Sequence, residues 1–231
     1  MANKRSSWEL GDGGGLLDTS FGKATGATWT LQIDFEGEDP LVVYLHREAC
    51  RSAFLTLLQD TDRFQGNRAI RLDPNWRSFV EPLLRILYIP DAVDFFVDQL
   101  LMSHARTLAQ GLDLSLCAVY LDLDAAFFSA FYSAVATRRR RFSPILDDDR
   151  FELPGAWHRL PLGHALRWLN ALRPSPRATV ANLAAYVAAE PGLTGILLLD
   201  AARDEEAASA DDEARSQWKV MLEAAAQLGR Q

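Results

Sequence analysis

The stretch Val119-Tyr120-Leu121-Asp122-Leu123-Asp124-Ala125-Ala126-Phe127-Phe128-Ser129 decides how the chain is read. It closes a nearly continuous apolar run, Leu114–Leu121. A short apolar run rich in β-formers predicts a strand buried on both faces. Asp122 stands at the end of that strand, and Ala125–Thr137 follows as an apolar helix. A second short apolar run, Ile196–Leu199, ends the same way, at Asp200. A buried strand holds its last side chain rigidly. Two such carboxylates on neighbouring strands can share divalent ions, which activate a hydroxyl and stabilise a leaving pyrophosphate. The plainer alternative is that aspartates follow buried strands because loops begin there.

Downstream of this stretch come Arg138–Arg141, a loop with Asp147–Asp149 and an extended segment, Arg150–Leu153. A helix is expected over His164–Leu172, broken by Pro174 and Pro176. Helices Thr179–Ala189 and Ala207–Leu228 follow, with a turn between Gly192 and Gly195. Upstream, residues 1–27 are rich in Gly, Ser and Thr and read as a flexible arm. Trp29–Phe35 and Leu41–Leu45 alternate about the turn residues Glu36–Pro40, which predicts a β-hairpin. Glu48–Gln59 has helical spacing, Arg68–Leu72 suits a short strand, and Trp76–Tyr88 suits a helix carrying Pro82. Pro90-Asp91 opens a helix expected to stop at Gln110-Gly111. The fold class expected is α+β: an arm over 1–27, an N-terminal α/β region over 28–110, and a sheet with packed helices over 111–231.

Three segments, in order, resemble the palm of reverse transcriptases. The run around Asp122 is similar to motif A: an apolar strand, an Asp, and an aromatic five residues on, here Phe127. Trp157-His158-Arg159-Leu160-Pro161-Leu162-Gly163 is similar to motif B, its Leu160 lying 38 residues after Asp122. Gly195–Asp200 is similar to motif C, 78 residues after Asp122. The likeness is to tyrosine-recombinase retroelements of the DIRS, VIPER and TATE kind and covers about residues 111–231. It implies a palm-like sheet and RNA-directed DNA polymerisation. Asp122 and Asp200 would be the catalytic ligands of Mg²⁺ or Mn²⁺, with the Leu123 carbonyl completing the site. Phe127 would gate the sugar, and Gly163 would make room for substrate. The partners implied are a nucleic-acid template-primer and deoxynucleotides. Ala201 stands where motif C carries a second polar residue, and His164-Ala165 replaces the small-residue turn after motif B. Ala201 favours a non-catalytic relic or binding protein that kept the fold. A remoter alternative reads Asp122-Leu123-Asp124 as the Asp-x-Asp site of a metal-dependent glycosyltransferase.

Composition limits these readings. The chain has 231 residues, 48% hydrophobic and 24% charged, which is globular. A net charge of -7 argues against a general nucleic-acid binder. Locally the balance reverses: Arg138–Arg177 holds nine arginines and four acids. Arg138, Arg139, Arg140, Arg141 and Arg159 are therefore candidate phosphate contacts. The alternative is a self-paired cluster of Arg138–Arg141 against Asp147–Asp149. Two cysteines and no apolar leader suggest an intracellular protein, nuclear or cytoplasmic, without membrane attachment. His158 and His164 lack partners at metal-ligand spacing and read as loop and helix-start residues.

Overall fold

The computed structural model describes residues 23–25, 27, 29–46, 68–86, 93–209 and 212–230. The expected helix over 48–59 and nearly all of the N-terminal arm lie outside them. The chain is an α+β protein, mostly helical, with one three-stranded sheet of order β2-β1-β3. Strands β1 (Trp29–Phe35) and β2 (Leu41–Leu45) form the antiparallel hairpin, with Ile33 opposite Leu41. Gly37 takes the positive φ of 79° that its turn requires. Strand β3 (Arg68–Leu72) pairs parallel to β1 on the other side. Leu31, Ile33, Phe35, Val43, Leu45 and Leu72 are buried, so the period-two alternation places one face on the core.

After a 3-10 turn, Pro74–Trp76, the rest of the described chain is helix and loop. Helix α1 (Arg77–Ile86) contains Pro82. Its Arg77 donates to the Asp39 carbonyl at 2.6 Å, pairs with Glu38 at 3.0 Å and lies over the Phe35 ring, joining the helix to the hairpin turn. Helices α2 (Val93–His104), α3 (Leu108–Tyr120), α4 (Ala125–Thr137) and the single turn α5 (Arg139–Phe142) follow. A second 3-10 turn, Gly155–Arg159, leads to α6 (Leu162–Leu172), α7 (Pro176–Ala189), α8 (Gly195–Ala207) and α9 (Asp212–Leu228). Helix α6 packs on α4 on one side and on α8 on the other, while α9 packs on α7 and α8. One hydrophobic cluster runs from Leu31 to Ala225. The boundary expected at 110/111 falls inside α3.

Two expected strands are helices. Leu114–Leu121 belongs to α3 and its C-cap, and Ile196–Leu199 lies in the first turns of α8. The sheet expected over 111–231 does not form: no residue of that range among those described is in a strand. Helix α3 is apolar because α1, the first 3-10 turn and the second 3-10 turn all pack on it. Its buried residues, Leu108, Gly111, Leu112 and Leu114–Ala118, surround its axis instead of forming a stripe. A helix buried on every side loses the periodic pattern that separates it from a strand. Its start is a capping box: Thr107 accepts from the Gln110 N–H, and Gln110 Oε1 accepts from the Thr107 N–H. Gln110-Gly111 therefore opens a helix where a helix end was expected. In α8 the apolar run does not signal burial. Ile196 and Leu197 are 64% and 51% exposed, and in this helix only Leu198 and Ala202, four residues apart, are buried.

Other expected elements shift. The helix expected from Pro90 is two helices, broken between His104 and Leu108. Arg150–Leu153 is not a strand but is tied to α7 by the buried Asn182. The Asn182 amide accepts from the Leu153 N–H at 2.8 Å and donates to the Phe151 carbonyl at 2.9 Å. Ser175 caps α7 with Pro176 in its first turn, so that helix begins three residues before Thr179.

Candidate functional site

Asp122-Leu123-Asp124 is the corner between α3 and α4. The Leu123 N–H donates to the Ala118 carbonyl at 3.1 Å, and the Asp122 N–H donates to the Val119 carbonyl at 3.0 Å. That pair of bonds closes the helix as a Schellman motif. Asp122 occupies its left-handed position, with φ of 52°. Leu123 is the buried apolar residue that follows such a cap. Asp124 then caps the next helix, its carboxylate accepting from the Phe127 N–H at 2.9 Å. Each residue of the motif thus has a local structural role: stop, anchor, start.

The remaining candidates lie on α4, α6 and α8. Asp200 is on α8, its side chain 59% exposed and 3.7 Å from Arg203, one turn along. Phe127 is 1% exposed and packs against Phe128 and Phe131, so it cannot meet a sugar as placed. Gly163 is in the first turn of α6, where an added Cβ would sit 3.4 Å from Glu205 Oε1. Among the described residues, no three His, Cys, Asp or Glu side chains are grouped to hold a metal ion. Asp122 and Asp124 sit at the α3–α4 corner and Asp200 on α8, instead of at the ends of two neighbouring strands.

The arginines are largely paired. Arg138 bonds Asp98 at 2.7 Å, Arg140 bonds Asp147 at 2.7 Å, and Arg177 bonds Asp149 at 3.0 Å. Arg167 bonds Glu205 at 2.8 Å, and Arg173 bonds Glu213. Arg159 pairs with Asp73 at 3.4 Å and lies over the Trp76 ring. Arg141 donates to the Met102 carbonyl at 3.1 Å. Arg139 is half-buried and its guanidinium makes no hydrogen bond or ion pair with the described residues. Two adjoining concavities, about 430 and about 310 Å³, share Arg139, Arg140, Arg173 and Glu213 in their walls.

Two further polar groupings join elements distant in sequence. Asp113 lies near Asp73 and Arg159; burial first, then the Asp73 charge, pushes its carboxyl above the ordinary value, and Arg159 opposes. The second is Tyr132 on α4 with His164 on α6, 3.0 Å from hydroxyl to Nδ1. Burial pushes the Tyr132 hydroxyl up, so it stays protonated and donates to Nδ1 or to the His164 carbonyl. Burial, then the Arg167 charge, brings His164 down to about 4. His164 is thus a neutral core-edge residue packed on Phe128. Its folded value lies below the ordinary 6.5, so the unfolded chain binds the proton first. Its stabilisation is present above pH 6.5 and is lost as pH falls towards 4. Allowing for solvent access, the expected loss between pH 7 and pH 4.5 is about 1–2 kcal/mol. Urea unfolding of His164→Gln at both pH values checks this, and an unchanged acid loss in the variant contradicts it.

No helix among the described residues is long and apolar enough to cross a membrane. Comparison with protein-family models gives no match, and comparisons with curated proteins and with solved structures give none.

Proposed function

We propose that this chain is a non-catalytic binding protein, a helical scaffold that presents surfaces rather than performing nucleotidyl transfer. The observation that carries this reading is the α3–α4 corner. There Asp122 is a left-handed helix stop, Leu123 a buried anchor and Asp124 a helix cap. The structural roles of Asp122 and Asp124 at this corner weigh against an Asp-x-Asp glycosyltransferase site. Asp200, the other expected metal ligand, belongs to an exposed helix face and an ion pair with Arg203. The arginine-lined concavity suits a partner, because it combines shape with Arg139, a cation without a partner among the described residues.

The test is extension of a DNA primer on an RNA template with Mg²⁺ or Mn²⁺. Wild type, Asp122→Asn, Asp200→Asn and Ala201→Asp are all expected to remain at the protein-free background. Metal-dependent extension by wild type that disappears in Asp122→Asn would overturn the reading and restore the polymerase.

A further inference from the structure

We propose that the groove walled by Arg139, Arg140, Arg141 and Arg173 binds a compact polyphosphate. This rests on the reading of the chain as a binding protein and names the ligand class of its concave surface. The groove's main concavity of about 430 Å³ is lined by Arg138–Arg141, Arg173 and Glu213. Arg140 and Arg173 have carboxylate partners, Asp147 and Glu213, whose side chains are each 74% exposed. Exposed ion pairs contribute little and exchange readily for a stronger anion. Arg173 itself is held, with its side chain 18% exposed and its Nε buried without an acceptor. Arg139, half-buried and unpaired, supplies a cation that nothing described neutralises. A phosphate chain meets both needs, since its oxygens accept from planar guanidinium groups in pairs.

Charge decides the size of the ligand. The whole chain carries a net charge of -7. Repulsion acts on any polyanion reaching beyond the groove, within a Debye length of about 8–10 Å. A compact polyphosphate stays inside the positive field, whereas a long nucleic-acid strand leaves it. The phosphate chain is the shared chemistry of inorganic polyphosphate and nucleoside triphosphates.

The experiment is isothermal titration of the full chain with inorganic tripolyphosphate, with ATP, with adenosine and with a single-stranded oligonucleotide. Tripolyphosphate is expected to bind and adenosine not to bind. ATP binding at equal strength assigns recognition to the phosphates alone, and tighter ATP binding assigns a contact to the nucleoside as well; either outcome keeps the phosphate site. Arg139→Ala, with an unchanged unfolding midpoint, is expected to weaken tripolyphosphate binding about tenfold. Arg150→Ala, at a side chain outside the groove and 92% exposed, is expected to leave it unchanged. Absence of tripolyphosphate binding at millimolar concentration overturns the proposal, as does equal binding by Arg139→Ala. An oligonucleotide that binds more tightly than tripolyphosphate, with a steeper salt dependence, also overturns it in favour of a nucleic-acid surface. None of these failures touches the primer-extension result, which tests the non-catalytic reading separately.

Discussion

Trp168→Ala is expected to lower the unfolding free energy by about 4 kcal/mol, within the range for truncating a buried aromatic residue. Trp168 is fully buried at the centre of the helical half. Its ring meets Phe131 edge-on at 5.6 Å, Tyr132 at 6.2 Å and Phe142 at 6.1 Å. Removing it opens a cavity between α4, α5 and α6 that rigid aromatic neighbours cannot refill. The same ring fixes Gly111 in α3: a Cβ there would lie 2.9 Å from Trp168 Cη2 and 3.3 Å from Phe142 Cε1. In wild type, Gly111→Ala should therefore destabilise, although alanine favours a helix interior by about 1 kcal/mol over glycine. In a Trp168→Phe background the closer contact is relieved and the 3.3 Å approach to Phe142 remains, so the same change should cost less than in wild type. Urea unfolding of the four proteins measures the coupling. Additive effects would mean that Gly111 and Trp168 do not constrain one another.

Gly195→Ala is expected to cost about 2–3 kcal/mol, the upper part of the overpacking range. Gly195 begins α8 where it crosses the end of α9. An added Cβ would lie 2.5 Å from the Gly229 Cα and N and 2.9 Å from the Leu228 carbonyl carbon. All three are backbone atoms, so the clash can be relieved only by a backbone shift where α8 begins or α9 ends. Gly229→Ala is the control, because a Cβ there meets nothing closer than 3.6 Å. Its midpoint in urea should shift little. Equal shifts for the two variants would contradict the close crossing.

Local signals carry the N-terminal sheet well. β1, β2 and β3 coincide with the expected 29–35, 41–45 and 68–72, because alternation and turn residues act within a few positions. Helix α4 likewise matches Ala125–Thr137. The errors fall on α3 and α8. Burial from several directions removed the period from α3, and the exposed Ile196 and Leu197 imitated a core strand in α8. The cues that were readable are caps: Thr107 with Gln110 before α3, Thr194 before α8, and Asp124 before α4. The helix stop at Asp122 was hidden because an aspartate, not a glycine, takes the left-handed position. Misplacing those elements put Asp122 and Asp200 at strand ends, where the structure has a helix corner and a helix. The arginine cluster was legible where partners are near in sequence, as for Arg140 with Asp147. Arg138 with Asp98 and Arg159 with Asp73 depend on tertiary packing and left no local trace.

Whether Asp122 serves as a helix stop is measured by equilibrium urea unfolding of Asp122→Gly with and without Mn²⁺. Glycine adopts the φ of 52° without the steric penalty that a Cβ carries there. Asp122→Gly is expected to be more stable than wild type by about 0.5–1 kcal/mol, and Mn²⁺ to shift neither protein. A less stable variant, or a Mn²⁺-dependent gain in wild type that the variant loses, would contradict the helix-stop role.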